Sequence, residues 1–493
     1  MTTKHFVTGI AARGVWRWCP LATVSCIAVC GFAVCLLSTA AYGQDSIEAS
    51  ASSLATWNYK FNADDKELLD SIQKGCFQYF WKEVGHPAML AKDKTSDTIC
   101  SVAAVGFQLS SLPIGVERGW ITKAEGEQRA LTVLHALVDR RDNKKFGIYL
   151  HFIDSSTGGF PDFTKTRYPY EIQASTVDHA LLQAGAMTAA SYFGGEVAKL
   201  ADRIVADADW KAMYDAKAGY LTMGWRGDTE NGINGEGEIA PSYWQWCSDE
   251  ERLIYFLAVG SPNAEHALPP AAYYRLKRVV KQHAELPPYV VSWNGSLFTY
   301  FFAHCWIDYR HLGADEPADF GFTAAPVDWF ENSRRAVLTQ RQRCIEVSKR
   351  YPTLGENRWG LAPCGFRDRY LVHEVKPNID DKDDWLDGVV PPYAAGSAIM
   401  FAPAESLAAL REYKSLRGPK DEPLVWRDPA KGGYAFVDSF SLDPPYGQDE
   451  NFGIDAGPLL LAIENVRSGQ TWQQFMKHDV AKLAVERLQL QPR

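Results

Sequence analysis

The sequence predicts an all-α protein, an (α/α)6 toroid in which six helical hairpins close into a ring with long loops at one end. Three observations predict it. Apolar residues recur at helical spacing about a dozen times between residues 60 and 490. Strand signals are thin and confined to long connections rich in Gly, Pro, Asp and aromatics, such as 219–247, 351–392 and 426–452. No low-complexity linker divides that stretch, so a chain whose 493 residues alone suggest about three domains reads as one large domain behind a leader. Ring closure is inferred from helix number and length.

The leader comes first. Residues 1–43 carry Lys4, Arg13 and Arg17, no acid, an apolar run from Leu21 to Ala41 and a small-x-small ending at Gly43. This is the pattern of a cleaved bacterial secretory signal peptide, which predicts a periplasmic or secreted protein. The alternative is an uncleaved anchor, since the run approaches bilayer-spanning length. Cleavage takes three cations away and moves the net charge from −9 to −12. A short linker, 44–60, then leads into a domain predicted over 61–486.

Helical patterns begin near Asp65 (Leu68, Leu69, Ile72, Phe77, Phe80), near Thr122 (Ala130, Leu131, Leu134, Leu137) and near Ser175 (Val177, Leu181, Leu182, Ala184). Others begin near Ser248, Pro270, Ser296, Val327, Tyr393, Gly453 and Thr471. The six cysteines beyond the leader are scattered without C-x-x-C spacing and read mainly as small buried hydrophobes.

Composition narrows the function. An acidic chain without Lys/Arg runs is a poor partner for nucleic acid. Aromatic residues reach 13%, with 16 Trp. Flat, uncharged, ring-shaped ligands suit that balance, and oligo- or polysaccharides are the obvious class. No stable membrane partner is predicted once the leader is cleaved.

Several runs together resemble the bacterial glucoamylase-like domain family, which includes the endo-β-1,2-glucanases of glycoside hydrolase family 144. They are GFQL at 106–109, PIGVERGWIT at 113–122, STVD at 175–178, Glu250 with YFLAVGSP at 255–262, HCWIDYR at 304–310 and FENSR at 330–334. GENRWGL at 355–361, PYAA at 392–395, FAP at 401–403, GIDAGP at 453–458 and IENVRSG at 463–469 complete the ordered set. The resemblance implies inverting hydrolysis of β-linked glucan by carboxylates at one end of the ring, without metal or organic cofactor. Gln173, Lys94, Ala404 and the acidic segment 365–387 depart from the family pattern and bear on substrate.

Two catalytic candidates follow. Glu250 opens a helix, and its spacing to Leu253 and Leu257 puts it on the inward apolar stripe; the resemblance implies the general acid here. The structural alternative is a capping box, Ser248 with Glu251, which leaves Glu250 free. Asp455 lies between Gly453 and Gly457 at another helix start. It is the general base by resemblance or an N-cap by local pattern, with Asp449 and Glu450 as rival bases. Asp178 either caps its helix within STVD or holds sugar hydroxyls.

Substrate contacts are also predicted at His304, Asp308 and Arg310, a polar network in or behind the cleft; a two-ligand metal site at His304 and Asp308 has too few ligands. Nine loop-associated aromatics are candidate sugar platforms: Trp225, Tyr243, Trp244, Trp246, Trp293, Trp306, Trp359, Trp385 and Tyr393. Gly or Pro neighbours favour Trp225, Trp359 and Tyr393.

Other readings stay open. A closed cleft end, formed by 365–387, favours an exo-acting β-glucosidase or transglycosylase. From other classes come a polysaccharide lyase, which needs a basic groove, and a non-catalytic glucan-binding protein.

Overall fold

In a ring of hairpins the inner helix of each pair is buried all round and the outer one along a single stripe. The helices divide in this way. The computed structural model describes residue 47 and residues 58–162, 172–227 and 233–493; the predicted signal peptide at 1–43 lies outside the described residues.

The outer set comprises α1 (Ala63–Lys82), α3 (Lys123–Val138), α5 (Gly195–Asp207), the one-turn α7 (Ala271–Tyr274), α8 (Trp329–Glu346) and α10 (Pro403–Ser415). In α5 the buried stripe is Val197, Leu200, Ala201, Ile204 and Val205, the spacing of one helix face. Each outer helix precedes an inner segment. The inner helices α2 (Val102–Glu117), α4 (Thr176–Phe193), α6 (Asp249–Gly260) and α11 (Gly453–Arg467) are buried on nearly every side.

The other two inner segments are not regular helices. The pattern at Ser296 forms two 3-10 turns, Leu297–Tyr300 and Ala303–Cys305, and α9 (Pro392–Ser397) runs into a 3-10 turn at Ala398–Met400. The helix predicted from Ser296 is thus corrected. The Thr299 hydroxyl donates to the Ser296 carbonyl and the Asn294 side chain accepts from the Ser296 N–H, and such local side-chain bonds compete with the α-helical ladder.

The ring closes by packing of α2 on α4, α4 on α6, α6 on the 3-10 turns, and α9 on α11, which returns to α2. Phe301 against Tyr393 and His304 against Phe401 join the 3-10 segment to α9. The α2–α4 contact is close because both partners lack a side chain: a Cβ on Gly185 would lie 1.9 Å from the Gly106 carbonyl oxygen. After the ring, α12 (Gln470–Lys477) and α13 (Asp479–Arg487) pack on α4 and α6.

Ile47, assigned to the linker, is buried and bridges Val327, while Pro492 bridges Leu312 and Arg493 pairs with Asp328. Strands of two or three residues form antiparallel hairpins in the connections. Cys76, Cys100, Cys247, Cys305, Cys344 and Cys364 are all free and buried. Among the described residues no helix is long and apolar enough to cross a membrane.

Candidate active site

Three inner helices present an acid in their first turn: Asp178 on α4, Glu250 on α6 and Asp455 on α11. A helix N-terminus stabilises a carboxylate, yet burial overrides it here for two of the three. Burial raises the Glu250 carboxyl well above its usual value, and the negative charges of Glu251, Asp178 and Asp249 add to the rise. Against this, the Trp293 indole N–H donates to Glu250 Oε2 at 3.4 Å and favours the ionised form.

The capping alternatives are decided locally. The Ser248 hydroxyl donates to Glu251 rather than accepting from a helix N–H, so Glu250 stands apart from any cap. Phe452, not Asp455, occupies the N-cap of α11, and Asp455 Oδ2 is buried without a hydrogen-bond partner. Asp178 bonds the N-cap Ser175 hydroxyl at 2.5 Å and also lies 3.5 Å from His151 Nε2, so it combines a capping contact with a second, solvent-side one.

Asp455 is raised well above its ordinary value by burial and then by the charge and hydrogen bond of Asp438. Asp438 itself is pushed up to about 7 by burial, although it accepts the Gly365 backbone N–H at 2.7 Å. Two buried carboxyls in contact cannot both ionise cheaply, so the pair holds one proton between them. Asp93 adjoins them, lifted to about 7 by burial and by Asp97. Among the described residues no three His, Cys, Asp or Glu side chains converge closely enough to hold a metal ion.

The rival bases are engaged elsewhere. Asp449 is exposed and paired with Arg427, while Glu450 pairs with Lys94 and accepts from Ser96. Gly453 and Gly457 make room for the Ala104 side chain and the Phe107 ring, so they serve helix packing.

Several predicted substrate contacts are corrected. Trp225 is 2% exposed, donates to the Glu236 carbonyl and lies under Lys145. Trp359 is wholly buried, its backbone bonded to Tyr413. Neither offers a free face to a sugar. Tyr393 is also core: its hydroxyl donates to the Pro363 carbonyl at 2.8 Å and reaches Asp455. His304 is buried, with Nδ1 2.8 Å from Asp249 Oδ2.

Asp308 and Arg310 lie at the opposite end of the ring. They line a cavity of about 470 Å³ with Asn465, Arg467, Trp472 and Gln473, at the C-terminal end of α11. That end is roughly 18 Å from Asp455 at the helical rise of 1.5 Å per residue. Arg310 stacks on Trp472 at 3.9 Å and pairs with Asp308.

Asp438, Asp93, His151 and Tyr370 are the site residues that sequence reasoning missed. Asp438 had a usable signal, a lone acid inside the apolar run Ala435–Phe440.

Residues 242–479 match the Glycoamylase family model, described as "Putative glucoamylase". Residues 242–479 are thus similar to the glucoamylase-like family. The match takes in Glu250, Asp438 and Asp455. An exo β-1,2-glucooligosaccharide sophorohydrolase of Parabacteroides distasonis is 26% identical over 457 residues, 86% of this chain. The chain spans 58% of that relative's length. An endo-β-1,2-glucanase from Chitinophaga pinensis shares the fold with TM-score 0.69 at 22% identity, over 88% of this chain and 99% of that one. A β-1,2-glucanase from Parabacteroides distasonis does so with TM-score 0.70 at 23% identity, over 87% and 61%. The chain therefore has the (α/α)6 architecture its helix pattern predicts.

Proposed function

We propose that this protein is a glycoside hydrolase acting on β-linked glucan, with β-1,2-glucan as the favoured substrate and inversion at the anomeric carbon. The observation that carries this reading is the division of labour among the acids. Glu250 is buried, and burial favours its protonated form, which a group delivering a proton to the leaving oxygen needs. Across the ring the Asp438–Asp455 pair carries a single proton and so keeps one carboxylate to take a proton from water. Asp178, with His151 beside it, lies close enough to influence Glu250 and would hold sugar hydroxyls.

Glucan hydrolysis needs the chain outside the cytoplasm to meet a polymeric substrate, and the leader at 1–43 supports a periplasmic or secreted location. The relatives named for β-1,2-glucan support the linkage. The test is incubation with linear β-1,2-, β-1,3- and β-1,4-glucans, with the first product followed by proton NMR. Release of α-anomeric glucooligosaccharides from β-1,2-glucan supports the reading. Unsaturated products absorbing in the ultraviolet would indicate a lyase and overturn it. The lengths of the products separate endo from exo action.

A further inference from the structure

The hairpin Cys364–Phe366 and Arg369–Leu371 stands over the acid pair, and nothing in the proposed chemistry uses it. Its inner strand is tied down: Asp438 accepts the Gly365 N–H, the Ser439 hydroxyl donates to the Gly365 carbonyl, and the Gln448 amide bonds both backbone groups of Arg367. Its outer strand is open. Tyr370 is 50% exposed and Val372 39%, in a molecule where few large apolar side chains are exposed.

The register fixes which way Tyr370 points. Tyr370 stands directly opposite Gly365, and residues opposite each other in an antiparallel pair project from the same face. On that face a Cβ at Gly365 would meet the Phe452 ring at 2.5 Å and Asp438 Oδ2 at 3.4 Å. The absence of a side chain at 365 thus lets Phe452 and Tyr370 approach, with ring centroids 5.6 Å apart. Phe452 is the N-cap of α11, three residues before Asp455.

We infer that Tyr370 is a sugar-stacking platform that seats one glucosyl ring of the glucan beside the Asp438–Asp455 pair. This rests on the hydrolase reading above and gives it a substrate subsite. The exposed ring face supplies C–H/π contact, and Phe452 backs it on the core side. The hairpin bonds to Asp438 and Gln448 hold the platform at fixed height above the acids, so the ring orders substrate at little entropic cost.

The test compares wild type with Tyr370→Ala, Tyr370→Leu and Tyr370→Phe on linear β-1,2-glucan and a β-1,2-linked glucopentaose. Circular dichroism and Tm are recorded for each. Tyr370→Ala and Tyr370→Leu should raise KM about tenfold while kcat stays within about threefold, and Tyr370→Phe should keep the wild-type KM. Unchanged KM in the folded Leu variant overturns the platform while leaving the hydrolase reading intact. So does a KM rise in Tyr370→Phe as large as in Tyr370→Ala, which would assign the contact to the hydroxyl. A wild-type protein inert on all β-glucans overturns the hydrolase reading and the platform with it.

Discussion

The carboxyl groups of Asp438 and Asp455 meet at the mouth of the ring, one from the bend between the strands Ala435–Phe436 and Phe440–Leu442 and the other from the first turn of α11. Asp438 is anchored by the Gly365 N–H, whereas Asp455 Oδ2 has no hydrogen-bond partner. The anchored carboxyl raises its neighbour, and the pair titrates as a unit.

Replacing Asp438 by Asn removes that repulsion, so Asp455 should ionise at lower pH. The acid limb of the kcat/KM profile should move down by about one unit or more. The measurement is a pH–rate profile of Asp438→Asn against wild type. An unmoved limb would show that the two groups are not coupled in function, and loss of activity at every pH would give the base role to Asp438.

Trp293 acts on the other limb. Its indole N–H bonds the Glu250 carboxylate and favours the ionised form. In Trp293→Phe the Glu250 carboxyl should rise further, and the alkaline limb of kcat/KM should shift to higher pH. A shift to lower pH would mean that the indole stabilises the protonated acid.

The buried acids cost stability near neutral pH. Asp93 is raised in the folded state to about 7, so the native protein binds a proton that the unfolded chain has released. The penalty is absent below about pH 4, grows as pH rises, and is complete above about pH 7. Asp93→Asn should therefore raise stability at pH 8 by on the order of 2–4 kcal/mol, seen as a higher Tm, and leave Tm nearly unchanged at pH 4. Thermal melts at both pH values check this; equal changes at both would point to packing rather than charge.

The far-end cavity makes a contrasting claim. Arg310→Ala removes a guanidinium stacked on Trp472. It should cost about 1 kcal/mol of stability, from the lost cation–π contact. KM for β-1,2-glucan should be unchanged. A raised KM would return Arg310 to the substrate site.

Much of this was legible in the sequence for a definable reason. Helix periodicity reports burial, so the helix from Asp65 with its stripe of Leu68, Leu69, Ile72, Phe77 and Phe80 could be read directly. Trp225 and Trp359 misled because glycine neighbours signal a turn, and a turn can fold its aromatic inward. HCWIDYR runs from His304, bonded to Asp249 at the start of α6, to Asp308 and Arg310, which line the cavity at the other end. Spacing along a chain does not say where an irregular 3-10 segment turns. Asp438 and Tyr370 depend on a hairpin register that links residue 365 to 438 and 370, and no local pattern encodes it.

The central claim is that Glu250 donates the proton to the leaving group. Its most direct test is Glu250→Gln assayed on linear β-1,2-glucan and on 2,4-dinitrophenyl β-sophoroside, whose leaving group needs no proton. Glucan hydrolysis should fall by at least about 100-fold, while the activated sophoroside stays within about tenfold of wild type. Equal loss on both substrates, or no loss on the glucan, would contradict Glu250 as the general acid.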